Sequence, residues 1–296
     1  MESKESDIPK EQIFRLFDDK PTSGLSFLDF SEKPLPPPPP CREVLDSEVS
    51  KDVKYNVEPV NVGGLTLVKG RVNTQEVFAL ANSDLVPGKY EGGLKLWEGS
   101  LDLITALSSE IKDGRLSFSG KQVLELGCGH GLPGIFACLK GASTVHFQDF
   151  NAEVLQCLTI PNVIANIEKN SQHSASHVEG PTNIETRFFS GDWSEVDRLL
   201  SCHQPDQASG YDVILMAETV YSISALPNLF KLITKCLRNP DGVVYMAAKK
   251  YYFGVGGGSR RFLSVVEKDG VFASSLVAEV ADGSSNVREV WKLHFK

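Results

Sequence analysis

Directly behind the apolar run Val123-Leu124 the chain reads Glu125-Leu126-Gly127-Cys128-Gly129-His130-Gly131. A strand ending on glycines at every second position keeps its backbone clear of side chains. A ligand can then approach closely, and dihedrals closed to other residues become accessible. The spacing differs from the dinucleotide pattern G-x-G-x-x-G, whose third glycine would fall at Leu132. A pyrophosphate seeks the backbone N–H groups of a helix N-terminus. The turn therefore suits S-adenosylmethionine, which has no phosphate to place there, better than a dinucleotide. Taken alone, it also reads as an ordinary strand-to-helix turn.

The segments around it narrow the fold. Lys121–Leu126 reads as a buried strand, Leu132–Lys140 as a short helix closed by Gly141, and Thr144–Gln148 as a second strand. A helix is expected from Asn151, disturbed by Pro161. Further strands are expected at Glu185–Phe189, Tyr211–Ala217 and Val243–Ala248, and helices at Ala225–Leu237 and Phe262–Lys268. Upstream, Leu101, Ile104, Leu107 and Ile111 fall at helical spacing within Glu98–Ile111, with Ser100 near the cap. Short strands are expected over Val60–Arg71 and Gln75–Ala81. Alternating strands and helices imply a parallel sheet covered on both faces. Val271–Val280 and Val287–Phe295, joined at Asp282-Gly283, must close antiparallel. The expected fold is thus α/β and Rossmann-like, a seven-stranded methyltransferase sheet, mostly parallel, with an antiparallel C-terminal hairpin.

Ligands of such sheets bind beyond the carboxyl ends of the strands. The first end offers Glu125 and the glycines. The second offers Gln148-Asp149-Phe150, and an acidic residue there can accept both ribose hydroxyls; Asp149 also fits a helix cap before Asn151. The third offers Gly191-Asp192-Trp193, a carboxylate for an exocyclic amine and an indole for stacking on adenine, or a Trp packed over the sheet edge. The fourth offers Glu218, at the pocket mouth behind Val213-Ile214-Leu215-Met216 and Ala217, where its charge needs a partner. It is the leading candidate for the reacting centre. Trp97 either anchors the helix that follows it or faces the ligand. The run Tyr252-Phe253-Gly254-Val255-Gly256-Gly257-Gly258 reads as a mobile substrate loop or a flexible connection.

Composition excludes several classes. A formal net charge of −8 over 296 residues argues against a general nucleic-acid binder and leaves room for a basic protein partner. Six scattered cysteines without a C-x-x-C pair, and no signal peptide, read as reduced thiols in an intracellular protein with no metal site. No apolar run approaches the roughly 20 residues that cross a bilayer. Residues 1–56 read as a disordered segment with a short helix at Ile13–Phe17 and a stiff proline tract through Pro40, and residues 57–296 as one domain. The polar stretch His173–Thr182 reads as a mobile insertion.

With these residues assembled, the chain from Gly92 to Lys296 resembles the histidine protein methyltransferases, a branch of the seven-β-strand S-adenosylmethionine-dependent enzymes. The resemblance rests on Leu94-Lys95-Leu96-Trp97-Glu98, Leu126-Gly127-Cys128-Gly129 and His146-Phe147-Gln148-Asp149. It continues through Pro161-Asn162-Val163 with Ala165-Asn166, Arg187–Gly191 before Trp193, Glu218-Thr219-x-Tyr221 and the Phe-Gly-Val-Gly-Gly-Gly run. That last run separates it from related lysine methyltransferases. What the resemblance implies is methyl transfer from S-adenosylmethionine to a histidine of a large-subunit ribosomal protein, in cytoplasm and nucleus; the sequence does not fix the oligomeric state, and a monomer is the expectation. It implies cofactor contacts at Leu96, Trp97, Glu98, Gly127, Gln148, Asp149, Phe150, Gly191, Asp192, Trp193 and the Ala217 backbone. The glycine turn itself adds Glu125, Gly129 and Gly131. Glu218 and Tyr221 are the expected catalytic pair, and Tyr252, Gly254, Gly256, Gly257 and Gly258 the expected substrate loop. His130 departs from the pattern, which has small residues there, and would narrow the pocket. The competing readings are a lysine methyltransferase of the same fold and a non-catalytic cofactor-binding assembly factor.

Overall fold

The computed structural model describes residues 36–80, 83–173, 184–200, 210–281, 283 and 286–296. Along the chain these form β1 (Arg42–Val44), β2 (Asn56–Val62), β3 (Leu65–Arg71), α1 (Thr74–Phe78), α2 (Glu98–Lys112), β4 (Gln122–Leu126), α3 (Leu132–Leu139), β5 (Thr144–Asp149), α4 (Ala152–Val154) and α5 (Ile160–His173). They continue with β6 (Glu185–Ser190), β7 (Val213–Ala217), α6 (Leu226–Cys236), β8 (Val243–Lys249), α7 (Ser259–Asp269), β9 (Phe272–Val280) and β10 (Arg288–Phe295).

The main sheet runs in the order β1-β6-β5-β4-β7-β8-β10-β9. Strands β6, β5, β4, β7 and β8 are parallel, and β10 is antiparallel to both β8 and β9. The chain moves outward from β4 through β5 to β6, then returns to the other side of β4 with β7. The strand order therefore reverses beside β4, where sheets of this kind leave a crevice. Register sets the strand ends level: Leu126 faces Gln148 and Met216, Asp149 faces Ser190, and Ala217 faces Ala247.

Successive side chains of a strand point to opposite faces, and here both faces are apolar. Val123, Val145, Leu215 and Tyr245 pack with Leu103, Ile104 and Leu107 of α2 and Ile135 and Phe136 of α3. Leu124, Leu126, Ile214 and Met216 pack with Leu229, Phe230 and Ile233 of α6 and Phe262 of α7. The helical run after Asn151 reaches His173 without breaking. A π-turn over Leu155–Thr159 stands just before Pro161, which has no N–H to give to the preceding turn.

Three expectations change. The main sheet has eight strands, because Arg42–Val44, expected within a disordered tail of residues 1–56, pairs antiparallel with β6. Glu43 takes two hydrogen bonds of 2.8 Å from the Arg187 guanidinium, and Val44 is buried. Three residues are too few to show a period. Of the expected strand Gln75–Ala81, the described residues 75–80 are not a strand. Asn73 Oδ1 accepts from the Gln75 N–H at 2.9 Å and caps α1, which ends on left-handed Ala79. Cys41, Cys128, Cys138 and Cys157 are free thiols, but Cys236 is disulfide-bonded. The expected helix at Ile13–Phe17, most of the insertion and Asp282 lie outside the described residues.

The β2–β3 hairpin turns at Gly63-Gly64, within the expected Val60–Arg71 region, and forms its own sheet. The asparagines of the Pro161–Asn166 motif bind it to α5. Asn166 exchanges hydrogen bonds with both backbone groups of Val68, at 2.9 and 2.7 Å. Asn162 Oδ1 accepts from the Gly70 N–H and the Tyr55 hydroxyl, while its amide donates to the His130 carbonyl at 2.9 Å. One buried side chain thereby joins the hairpin to the glycine turn.

Candidate active site

The turn after β4 needs its glycines. Gly127, Gly129 and Gly131 have φ of 58°, 48° and 68°, the left-handed region that favours glycine. A Cβ at 127 would stand 2.7 Å from Thr219 Cγ2, and one at 129 would stand 2.9 Å from the Gly93 carbonyl oxygen. Glu125 supports the turn from within. Its Oε2 accepts from the Gly134 N–H in the first turn of α3 at 2.8 Å, and burial holds its pKa well above the carboxylate range. The carboxylate faces α3.

At the end of β5, Gln148 is fully buried with its amide committed. Oε1 accepts from the Trp193 indole N–H at 2.9 Å and the Gly127 N–H at 3.3 Å, and Nε2 donates to the Gly191 carbonyl at 2.9 Å. Asp149 accepts from the Gly129 N–H on Oδ2 at 2.9 Å and from the Asn151 N–H on Oδ1 at 3.1 Å. Burial raises its pKa to about 6 against those two N–H groups, and the charge of Glu91 adds to the rise. Phe150 lines a cavity of about 420 Å³ with Pro37, Pro39, Pro40, Arg42 and Ser190.

At the end of β6, Gly191 has φ 138°, and a Cβ there would stand 2.2 Å from Cys41 Sγ. The chain entering β1 crosses at this point. Asp192 Oδ1 accepts from the Ser194 N–H at 2.9 Å and its hydroxyl at 2.5 Å. Trp193 is half-buried, its indole held by Gln148 and its ring near Gly127.

The end of β7 carries the most unusual backbone. Glu218 has φ 58°, a left-handed conformation that costs a non-glycine residue on the order of 1–2 kcal/mol. Such strain is found where the surroundings impose a side-chain direction. Here the Glu218 N–H is tied to the Ala247 carbonyl at 2.8 Å, and Oε2 accepts from the Tyr252 hydroxyl. Oε1 is buried without a hydrogen-bond partner among the described residues, as is Thr219 Oγ1. Gly99, at the start of α2, makes room for the carboxylate: a Cβ there would meet Oε1 at 2.7 Å. Burial raises the Glu218 pKa, opposed by the Tyr252 hydroxyl, the charges of Lys249 and Arg288 and, more weakly, the nearby backbone N–H of Gly99, whose geometry falls short of a full hydrogen bond to Oε1.

Tyr221 donates its hydroxyl to Glu91 Oε2, and its ring meets that of Tyr252 edge-on at 6.3 Å. The glycine loop is seated on this turn rather than free. Gly257 N–H donates to the Tyr221 carbonyl at 3.1 Å, Gly258 N–H to the Val220 carbonyl at 2.8 Å, and Gly256 bridges Ser222. Gly254 and Gly256 turn the chain with φ of 87° and 79°. A Cβ on Gly257 would lie 2.2 Å from the Tyr221 carbonyl oxygen. Gly257→Ala is therefore expected to cost about 1–3 kcal/mol of stability by overpacking, measured by chemical denaturation. An unchanged midpoint would mean that the loop is not held there.

Residues 91–97 roof the open side of the glycine turn. Asn151 fixes them from below through the Glu91 N–H at 3.1 Å and the Lys89 carbonyl at 2.8 Å. Trp97 donates its indole N–H to the Gly92 carbonyl at 3.0 Å, and the Lys95 and Lys249 ammonium groups lie 4.7 and 5.7 Å from the ring centre. Leu96 packs on the core, and Glu98 pairs with Arg288 at 2.8 Å. His130 serves this roof: its Nε2–H donates to the Leu94 carbonyl at 3.2 Å, and burial depresses its pKa to about 4, keeping it neutral. Sequence reasoning missed Glu91, Asn151 and the use of His130. A lone acid before Gly92-Gly93 carries no spacing signal.

The arrangement fits S-adenosylmethionine. It offers a turn clear of side chains, a carboxylate beside it at Asp149, and two buried polar atoms, Glu218 Oε1 and Thr219 Oγ1, without a well-formed hydrogen bond among the described residues. No group of three or more His, Cys, Asp or Glu among the described residues could hold a metal ion, and no helix among them is long and apolar enough to cross a membrane.

Comparison with known proteins agrees. The family described as "Lysine methyltransferase" matches residues 87–269. The histidine protein methyltransferase 1 homolog of Dictyostelium discoideum is 43% identical over 211 residues, covering 71% of this chain and 60% of that protein. The Bos taurus protein of the same name is 33% identical over 261 residues, covering 83% and 68%. A protein N-terminal and lysine N-methyltransferase of Aspergillus fumigatus is 26% identical over 164 residues, covering 55% and 60%. The crystal structure of SMU.776 complexed with SAH shares the fold at 14% identity and TM-score 0.50, covering 83% of this chain and 56% of that chain. Strand order and site together define the class I S-adenosylmethionine-dependent methyltransferase type. Within that class, the chain belongs to the histidine protein methyltransferase family.

Proposed function

We propose that this chain transfers a methyl group from S-adenosylmethionine to an imidazole nitrogen of a protein histidine, with a large-subunit ribosomal protein of the cytoplasm or nucleus as substrate. The observation that carries the reading is the buried Oε1 of Glu218, without a well-formed hydrogen bond among the described residues and held by a strained backbone at the switch point of the sheet. Bound S-adenosylmethionine supplies an electrophilic methyl group on its sulfonium. Asp149 would hold the ribose hydroxyls, and Asp192, Trp193 and Phe150 the adenine end.

The protein's own task is to orient the acceptor, which is catalysis by proximity and alignment. A neutral imidazole carries a proton on one nitrogen and a lone pair on the other, and the group accepting the N–H selects the tautomer. Glu218 Oε1 accepts that N–H, which leaves the lone pair of the other nitrogen facing away from the carboxylate. The Tyr252 hydroxyl fixes Oε2, so the carboxylate cannot rotate. Tyr221, set by Glu91, forms the other wall of the slot. As the ring becomes cationic, the carboxylate balances its charge. The greater identity to relatives named for histidine than to the lysine-named relative supports the choice of acceptor. The net charge of −8 suits a basic ribosomal substrate.

The test is labelled methyl transfer into proteins of cells lacking the enzyme, followed by acid hydrolysis of the labelled band. Methylhistidine from a large-subunit protein supports the reading, and methyllysine overturns it. A pH dependence follows as well. With its folded pKa raised to about 6 from 3.8, Asp149 contributes stability that is full below pH 4 and is lost as pH rises through 6. Cofactor binding runs the other way, because ribose hydroxyls donate to the ionised carboxylate. Calorimetry with S-adenosylhomocysteine should show affinity about tenfold weaker at pH 5 than at pH 7.

A further inference from the structure

The loop after β8 also carries exposed apolar side chains between its glycines. Tyr252 points inward to Glu218, and Gly254 and Gly256 follow at even positions. The odd positions are Tyr251, Phe253 and Val255, which are 49%, 74% and 47% exposed. Ile223, on the facing turn bridged to Gly256 through Ser222, is 51% exposed. Of the nine large apolar side chains exposed among the described residues, four thus stand on two loops joined by hydrogen bonds. None is needed to hold the loops, since backbone bonds from Gly257 and Gly258 do that. Scattered exposed apolar residues need no explanation, but a cluster beside a reacting centre marks a binding surface.

We propose that Tyr251, Phe253, Val255 and Ile223 form the shelf on which the protein substrate docks, and that its occupant is an extended segment with apolar side chains flanking the acceptor histidine. This rests on the histidine methyltransferase reading above. The geometry commits the occupant. Tyr252 bonds Glu218 and stands in the chain between exposed Tyr251 and Phe253, so a segment that brings an imidazole to Glu218 Oε1 passes beside this exposed apolar stretch. A loop pinned to the β7 turn by two backbone hydrogen bonds, and closed on itself by three more, presents them in a fixed arrangement, which limits the ordering cost of binding. Aromatic anchors of this kind carry most of the energy of protein interfaces. The shelf therefore selects the sequence around the target, while Glu218 selects the atom.

The test uses the full chain and its double variant Phe253→Ser/Val255→Ser, with tritiated S-adenosylmethionine and protein extract from cells lacking the enzyme. The expected result is a KM for the labelled protein raised about tenfold or more, with kcat and the affinity for S-adenosylhomocysteine unchanged within twofold. An unchanged KM overturns the proposal. Weakened S-adenosylhomocysteine binding also overturns it, because the shelf would then belong to the cofactor site. So does a wild-type dimer that the variant converts to monomer at unchanged KM, since the occupant would be a second copy of this chain. Hydrolysis of the labelled protein separates the two readings. Methyllysine in place of methylhistidine sinks the proposed activity, while the KM ratio still judges the shelf.

Discussion

Glu218→Gln is expected to slow methyl transfer by about 10²-fold or more, within the range found when a positioned acid–base group is removed. Binding of S-adenosylhomocysteine should stay within about twofold of the parent. The amide still accepts from the Tyr252 hydroxyl, and its shape still fits against Gly99, so the fold loses little. What disappears is the anionic acceptor that fixes the imidazole tautomer and balances the growing positive charge. The pH profile adds a second readout. Burial raises the Glu218 pKa, so the acid limb of kcat belongs above the ordinary glutamate range and should vanish in the variant. Single-turnover rates at several pH values check both points. Equal rates for the two proteins would end the role assigned to Glu218.

Gln148→Leu should damage the site without removing any group expected to react. The leucine would leave the Gly191 carbonyl, the Trp193 indole N–H and the Gly127 N–H without their present partner. A buried polar group left unpaired costs about 1–3 kcal/mol. With Trp193 half-buried and able to reach water, the sum should be about 2–4 kcal/mol, read from denaturant titration. S-adenosylhomocysteine affinity should fall in step, because the amide fastens the ends of β4, β5 and β6 to one another. Resemblance placed Gln148 among the cofactor contacts. Its hydrogen bonds to Gly127, Trp193 and Gly191 also give it a positioning role for the loops at those strand ends. A variant as stable as the parent would refute this.

The parts of the site legible in sequence are those whose chemistry is local. Gly127, Gly129 and Gly131 announce a turn because no other residue takes those dihedrals cheaply, Glu218 stands out as an acid directly behind an apolar run, and Asp149 as an acid at the end of the second strand. The α/β sheet was legible for the same reason: β4, β7 and β8 are short, mainly apolar runs, β5 alternates Val145 and Phe147 with polar residues, and α2 and α6 carry helical periods. Contacts that join distant segments through one side chain leave no such trace. Glu91 meets Tyr221 across 130 residues, and Asn162 meets Gly70 across 92. Neither has a period, a repeat or a companion motif. His130 shows the limit from the other side. The departure from pattern was visible, but its use, a neutral donor to the Leu94 carbonyl, required the fold. The glycine loop was legible as a loop, while its seat on Val220 and Tyr221 was not, since the carbonyls it meets belong to another turn.

The three residues of β1 bear on behaviour in concentrated solution. Without them, β6 would offer an open row of N–H and C=O groups to any neighbouring chain, a template for edge-to-edge association. β1 covers that row with a strand too short to recruit another, and the exposed tract Pro36–Pro40 just before it has no N–H groups with which to extend the ladder. A chain trimmed to begin after Val44 would keep the glycine turn, Asp149 and Glu218, and yet should precipitate at concentrations where the longer chain remains dispersed. Light scattering on the two would show it. The proline tract, read in sequence as a spacer, thus works as a guard on colloidal stability.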